Sequence, residues 1–554
     1  MPALRFRSAL VVATVLALAG GAAACAKSER NETPAAKDTM VFGTAGEAKV
    51  LDPTFASDGE SFRVARQMFD NLVTMEPGTA KMVPGLALTW TPDEAGTTWT
   101  FKLRQGVKFH DGTQFDAIAV CKNFDRWYNF TGLLQTPDVT SYYQDVFNGF
   151  KKNEQAGLGE SLYKSCTARA SDEAVIALTR VTSKFPAALV LPAFSMQSPT
   201  ALQQFQADTL GGSADSITYP SYAMEHPTGS GPFKFEKWDR ANKAITMVRN
   251  EDYWGAKAKL KRLIFKAIPD ENARKQALSN GEIDGYDLPS PADLPSLKSA
   301  GYNLQARPPF NILYLAFTQS ANPQLAKLEV RQAIAYALNR EAMVKAKLPE
   351  GAEVATQFQP PTLDGWNPNV TKYNYDPAKA KALLTQAGAS NLTLRFYYPT
   401  DVTRPYMPDP KSIFELFKAD LEAVGIKIEP VALKWSPEYL AEVQAGKADL
   451  HLLGWTGDYS DAYNFIGTFF DRDKPQFGFK NQALFDAFRA ADTTADATKR
   501  YALYQQINAM IMDYLPAVPI SHSSPSIVFG KNVTGIKAGP LTDERFFQGE
   551  FKAS

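Results

Sequence analysis

Ala448-Asp449-Leu450-His451-Leu452-Leu453-Gly454-Trp455-Thr456-Gly457-Asp458-Tyr459-Ser460-Asp461-Ala462-Tyr463-Asn464-Phe465 is a short apolar run that breaks into glycines, rings and carboxylates. Residues 448–453 read as a buried strand. Gly454 and Gly457 permit a sharp turn or a close approach of the backbone. Trp455 offers a flat apolar wall and Asp458 a fixed negative charge. Together they suit a small molecule with a cationic end and an apolar body. The same residues would also serve as a strand-to-loop turn with its rings packed as core, so the flanking pattern has to decide.

Upstream the pattern is regular. Residues 391–398 alternate like a strand. Asp409-Pro410 reads as an N-cap followed by proline at the first helical position. Ile413, Leu416, Phe417, Leu421 and Val424 keep helical spacing, and Gly425 ends the helix. Residues 426–433 form a second strand, Ser436-Pro437 opens a second helix that Gly446 closes, and 448–453 is the third strand. Strands joined by single helices run parallel through right-handed crossovers. Loops after the carboxyl ends of such strands open on one edge of the sheet, where ligands bind. Arg404, in Val402-Thr403-Arg404-Pro405-Tyr406, and Asp458 both occupy such loops. A zwitterion with an ammonium at one end and a carboxylate at the other matches this pair.

The N-terminus carries Arg5 and Arg7, an apolar run over 9–19, and then Gly20-Gly21-Ala22-Ala23-Ala24-Cys25. This is the pattern of a secretory signal peptide, 1–24, and the run is too short to span a membrane. A cysteine directly after small residues is similar to a bacterial lipobox, with Cys25 as the lipid-carrying residue, although Ala22 stands where leucine is usual. Residues 25–39 are polar and charged and read as a flexible tether. The mature chain of about 530 residues is long enough for two or more domains. With 45% hydrophobic and 21% charged residues it has the composition of a soluble globular protein. Formal charge is zero, and loss of Arg5 and Arg7 leaves about −2, which excludes a basic footprint for nucleic acid. In an exported protein the remaining pair Cys121 and Cys166 is a disulfide candidate. No metal site is expected, since His110 alone would not complete one with two cysteines.

The combination Gly454-Trp455-Thr456-Gly457-Asp458, Asn464-Phe465 and Arg404-Pro405-Tyr406 resembles the extracytoplasmic solute-binding proteins of the peptide and nickel group (family 5) of ABC importers, above all the dipeptide-binding proteins. The likeness extends over nearly the whole mature chain. It includes Gly106-Val107-Lys108-Phe109-His110-Asp111-Gly112-Thr113, read as a hairpin with an Asp-Gly turn, Thr228-Gly229-Ser230-Gly231-Pro232-Phe233, Arg249-Asn250-Glu251-Asp252-Tyr253-Trp254, and the helical string from Val330 to Asn339. The resemblance implies that Asp458 holds a peptide α-ammonium and Arg404 its carboxylate, and that Gly46 lies where the first loop approaches the ligand backbone. Dipeptide binders often read Asp-Pro-Asp-Asn-Phe where this chain has Asp461-Ala462-Tyr463-Asn464-Phe465.

The implied fold is α/β, a two-lobed periplasmic-binding-protein-like type II arrangement with a hinge, mixed sheets and an extra subdomain in the first lobe. The expected organisation is lobe I over 40–308 with an inserted subdomain at about 76–210, lobe II over 309–519, and a return to lobe I over 520–554. Within it a helix is expected over 63–72, and residues 120–220 read as helical and loop-rich. Tyr406, Trp455 and Trp435 are pocket-wall candidates, with core packing as the other account of Trp435.

Patterns for hydrolases, zinc proteases and phosphate-binding loops are absent from the sequence, and the four histidines, His110, His226, His451 and His522, stand far apart. The expectation is a non-enzymatic receptor without cofactor. It would bind di- or oligopeptides, act as a monomer, sit on the outer face of the cell membrane by its lipid, and deliver to an ABC permease and ATPase complex. The same fold binding a nickel complex, haem or an oligosaccharide is the alternative, and a secreted hydrolase a remote one.

Overall fold

The computed structural model describes residues 37–214 and 216–552. The signal peptide, Cys25 and most of the tether lie outside the described residues.

Two mixed sheets organise the chain. Among the described residues the first has seven strands, in the spatial order Phe233–Asp239, Ala244–Arg249, Arg262–Ala267, Thr39–Thr44, Gly285–Asp287, Ser526–Phe529 and Asn303–Ala306. Thr39–Thr44 pairs parallel with the strands on both sides. The second has six, in the order Glu353–Val354, Ala517–His522, Asn311–Phe317, Leu450–Thr456, Thr393–Pro399 and Lys427–Leu433. Thr393–Pro399 runs parallel to Lys427–Leu433 and to Leu450–Thr456. The crossover pattern read from 391–453 is therefore the pattern formed. Asp409 caps the helix Pro410–Ala423 by accepting from the Ser412 amide, and Gly425 leaves that helix with φ at +97°. Asn311–Phe317 is buried at every residue, with a strand paired along each of its edges.

The chain passes between the sheets twice. Ala306 ends a strand of the first sheet and Asn311 begins one of the second. On the return, the strand Ala517–His522 stays in the second sheet past Ile520, and Ser526 begins the next strand in the first. Antiparallel pairing of Asn311 with Thr456 puts the first crossing on the same edge as the loops that follow Pro399 and Thr456. Asn311 also ties the two crossings together: its side chain donates to the Ser523 carbonyl at 2.9 Å and accepts from the Ser523 amide at 2.8 Å.

A third sheet of four strands, Ala87–Pro92, Thr98–Leu103, Glu173–Leu178 and Tyr163–Ala170, is the extra subdomain. It corrects the reading of 120–220 as helices and loops. Tyr163–Ala170 is an edge strand with both faces largely exposed, so it carries no hydrophobic alternation to read. Leu210-Gly211-Gly212-Ser213 belongs partly to a small hairpin, Gly211–Ser213 with Ser216–Thr218. The helix expected over 63–72 runs instead over Gly59–Met68, because Asp58 caps it by accepting from the Glu60 and Ser61 amides. The Asp-Gly segment closes tightly, Phe109 N to Thr113 O at 2.8 Å, around a single bridge rather than a ladder. A disulfide joins Cys121, in the helix Ala117–Tyr128, to Cys166. No helix among the described residues is long and apolar enough to cross a membrane, and no cluster of three or more His, Cys, Asp or Glu there could hold a metal ion.

Candidate functional site

A cavity of about 310 Å³ lies between the lobes, at the loops that follow Pro399 and Thr456. From the second lobe come Arg404, Tyr406, Trp455 and Asp458; from the first come Phe62, Arg66 and Tyr142. The structure thus brings four of the residues singled out in the sequence to one space. It does not bring Gly46, whose neighbour Ala45 lines the cavity while Gly46 lines a smaller one beside it. Trp435 stands behind the site: the Arg404 guanidinium lies 4.3 Å from its ring centroid, a cation–π contact that holds the arginine in place.

The two glycines have specific reasons. A Cβ on Gly454 would fall 2.3 Å from the Ile312 carbonyl oxygen and 2.4 Å from the Tyr406 ring. On Gly457 it would fall 2.3 Å from the Phe310 ring. The bare backbone lets Tyr406 lie flat on the strand end, which fixes one wall of the cavity. Beyond Gly457 the chain is fastened by Asn464, which is buried; its Oδ1 accepts from the Asp458 amide at 2.7 Å and from Trp455 Nε1 at 3.3 Å.

Asp458 is half-buried and forms no ion pair among the described residues. The Tyr142 hydroxyl, from the opposite lobe, donates to its carboxylate at 3.2 Å. Burial raises its pKa to about 7, against the downward pulls of Asn464, Tyr142 and the nearby Arg66. Burial also pushes the Tyr142 hydroxyl well above its usual range, and the Asp458 charge adds to this. Arg404 likewise has no ion pair among the described residues, and its Nε is buried without a hydrogen-bond partner. Asp458 and Arg404 therefore face the same cavity without pairing with each other. Two further cavities flank it, about 410 Å³ past Asp458 and about 370 Å³ past Arg404.

A buried ion-pair network stands beside Asp458 and Arg404. Arg63 bonds Asp287, Glu544 at 3.2 Å and Glu60 at 3.2 Å; Arg307 bonds Asp287 at 2.7 Å and Glu544 at 2.6 Å. Burial would raise Asp287, but Arg307 and Arg63 override it and hold the carboxyl down to about 2. The histidines take no part: His451 sits fully buried in its strand, and burial lowers it to about 3, so it stays neutral. Arg66 and Tyr142 were not singled out in the sequence. A readable signal existed for Arg66: two arginines, Arg63 and Arg66, fall within a helix that is otherwise buried on nearly every side.

Two lobes, two crossings and a cleft between them holding unneutralised opposite charges define a protein that captures a solute. The match to known proteins makes this specific. Residues 81–476 fit the family described as "Bacterial extracellular solute-binding proteins, family 5 Middle". The chain is 31% identical over 524 residues to the dipeptide-binding protein of Escherichia coli (strain K12), covering 92% of this chain and 94% of that one. It is 28% identical to haem-binding protein A of Haemophilus influenzae, covering 97% of each. Among solved structures it resembles an ABC transporter-associated periplasmic binding protein of Helicobacter pylori in complex with the peptide STSA, with a TM-score of 0.77, 26% identity and coverage of 93% and 98%. The chain belongs to the bacterial extracellular solute-binding proteins of family 5.

Proposed function

We propose that this protein captures di- or oligopeptides in the cleft and delivers them to an ABC permease in the membrane. The observation that carries this reading is the pair Asp458 and Arg404, both lining one cavity and neither in an ion pair. Asp458 takes the α-ammonium and Arg404 the α-carboxylate, with Trp455 and Tyr406 as apolar walls. Closure excludes water, which strengthens both charge-assisted contacts. Recognition through the peptide's ends leaves side-chain selectivity broad. The dipeptide-binding and peptide-bound relatives support it. The haem-binding relative supports a second reading. Haem carries two propionates and no ammonium, so it would leave Asp458 unmatched, and the peptide is preferred.

Blocked ligands test the assignment. Removing one partner of a buried charge pair costs about 2–5 kcal/mol, so Asp458→Ala or Arg404→Ala should weaken a dipeptide by roughly 30-fold to several thousand-fold. Wild type should lose affinity for both N-acetylated and C-amidated dipeptides. Asp458→Ala should become nearly indifferent to acetylation yet still discriminate against amidation, and Arg404→Ala the reverse. Calorimetry in which wild type binds free, acetylated and amidated dipeptides equally would remove both residues from the site.

In the same reading Cys25 carries diacylglycerol and anchors the receptor to the outer face of the cell membrane. Cys25→Ala should release the protein into the medium, and unchanged membrane fractionation would refute the anchor.

A further inference from the structure

The two cavities that flank the candidate ligand cavity are not equivalent for a peptide. With its α-ammonium at Asp458, a peptide can lengthen only from its carboxyl end, toward Arg404. The cavity past Asp458 faces the end that cannot grow. The cavity past Arg404 faces the end that can, and at about 370 Å³ it is larger than the space of about 310 Å³ in which two residues are placed. Leu288, Thr403, Arg404 and Pro405 line both spaces, so the two adjoin along that boundary.

The cavity past Arg404 has a distinct wall. Six prolines line it: Pro289 and Pro291 from the first lobe, Pro349, Pro405 and Pro408 from the second, and Pro525 from the crossing between them. Proline has a fixed φ and no amide N–H, so the wall is rigid and offers no main-chain donor at those six positions. Arg404 and Lys347 share the lining with Glu271 and Asp409, so charges of both signs face the space and favour neither sign in a side chain. Asp409 is held as a helix cap, and Glu271 accepts from the Tyr286 hydroxyl at 3.1 Å. Such a wall suits an apolar side chain.

Leu288, on the boundary, is strained. Its φ is +55°, in the left-handed region that a residue with a Cβ disfavours. Its amide donates to Asp287 Oδ1 at 2.9 Å and to the Ser526 carbonyl at 3.2 Å, which holds the conformation. Strained residues of this kind concentrate at ligand sites.

We propose that the proline-lined cavity is a subsite for the third residue of longer peptides and selects an apolar side chain there. In a longer peptide Arg404 then meets the carbonyl oxygen of the second residue instead of a terminal carboxylate. The inference rests on the peptide reading above.

The test is calorimetric titration of the mature protein with Ala-Ala, Ala-Ala-Gly, Ala-Ala-Phe, Ala-Ala-Glu and Ala-Ala-Lys. Wild type should bind Ala-Ala-Phe about tenfold to a hundredfold more tightly than Ala-Ala-Gly, as expected for burying one ring. Both charged tripeptides should bind more weakly than Ala-Ala-Phe. Ala346 and Ala292 line the proline-walled cavity from opposite lobes, are exposed, and do not line the ligand cavity. Ala346→Trp and Ala292→Trp fill the subsite and should each lower the ratio of Ala-Ala-Phe to Ala-Ala affinity by about tenfold. The ratio is read within each variant, so a general effect on folding or closure cancels. Equal wild-type affinity for Ala-Ala-Phe and Ala-Ala-Gly, tighter binding of a charged tripeptide, binding of Ala-Ala alone, or a ratio that survives in both tryptophan variants would overturn the inference while leaving the peptide reading intact. Failure of wild type to bind any of the five would overturn that reading and the inference with it.

Discussion

At the scale of single residues, Asp458 has a property that its type alone does not imply. A carboxyl raised to about 7 by burial is largely protonated in the ligand-free protein in mildly acidic solution. Its folded value lies above the unfolded one, so its charge costs the ligand-free fold stability as pH rises from the ordinary carboxylate range through about 7. An incoming ammonium favours the ionised form, so binding below that point must expel a proton. Affinity for a free dipeptide should therefore fall as pH drops below about 7, approaching tenfold per unit, and should fall again above about 8 as the α-amino group loses its proton. Calorimetry in buffers of different ionisation enthalpy should register proton release near pH 6, and Asp458→Asn should abolish it. A flat affinity between about pH 5 and 8 would contradict this account. The lining residues legible in the sequence were those whose neighbours were unusual, such as Asp458 after a Gly-Trp-Thr-Gly turn. Tyr142 was not legible, because it enters the site from a distant helix, Pro137–Phe147, whose local pattern is that of any amphipathic helix.

At the scale of elements, alternation of strands and helices over 391–456 was readable because every signal agreed: caps, glycine stops and apolar periods. Tyr163–Ala170 was not readable, because an edge strand exposed on both faces has no inward side. The disulfide from Cys121 ties this edge strand to the helix Ala117–Tyr128. It closes a 45-residue separation, for which the chain-entropy model gives roughly 4 kcal/mol. The Cys121→Ser/Cys166→Ser double variant should unfold at lower urea than wild type, with a loss of about 2–4 kcal/mol. Neither cysteine lines the cavity, so the affinity of the folded fraction should hold. An unchanged urea midpoint would show that the subdomain does not depend on the bridge.

At the scale of the whole molecule, the lobes touch away from the cavity as well as around it. Asp492, at the end of the helix Gln482–Asp492, accepts from Thr182 Oγ1 at 2.8 Å, from the Ser183 hydroxyl at 3.0 Å and amide at 3.1 Å, and from Arg180 at 2.9 Å. These donors follow the last strand of the extra subdomain, whereas Asp492 belongs to the second lobe. A contact made only when the lobes meet favours the ligand-retaining form without touching ligand. Asp492→Ala should weaken peptide binding by about tenfold, mostly through faster dissociation. Stopped-flow rates that match wild type would show that the latch does not contribute to retention.

The stitch between the crossings has a mechanical meaning. Asn311 bonds Ser523 through both ends of its amide, so the two connecting segments cannot slide past each other without breaking both bonds. Relative movement of the lobes is thereby reduced to bending about a short common axis, close to the floor on which Arg404 and Asp458 stand. Near an axis, displacements are small; at the far rim the same bend is magnified by leverage. A bulkier peptide would leave its bound end groups almost undisturbed while holding the outer edges further apart. On the peptide reading proposed above, ligand bulk would be converted into an angle, and a membrane partner resting on both rims could sense that angle without contacting the ligand.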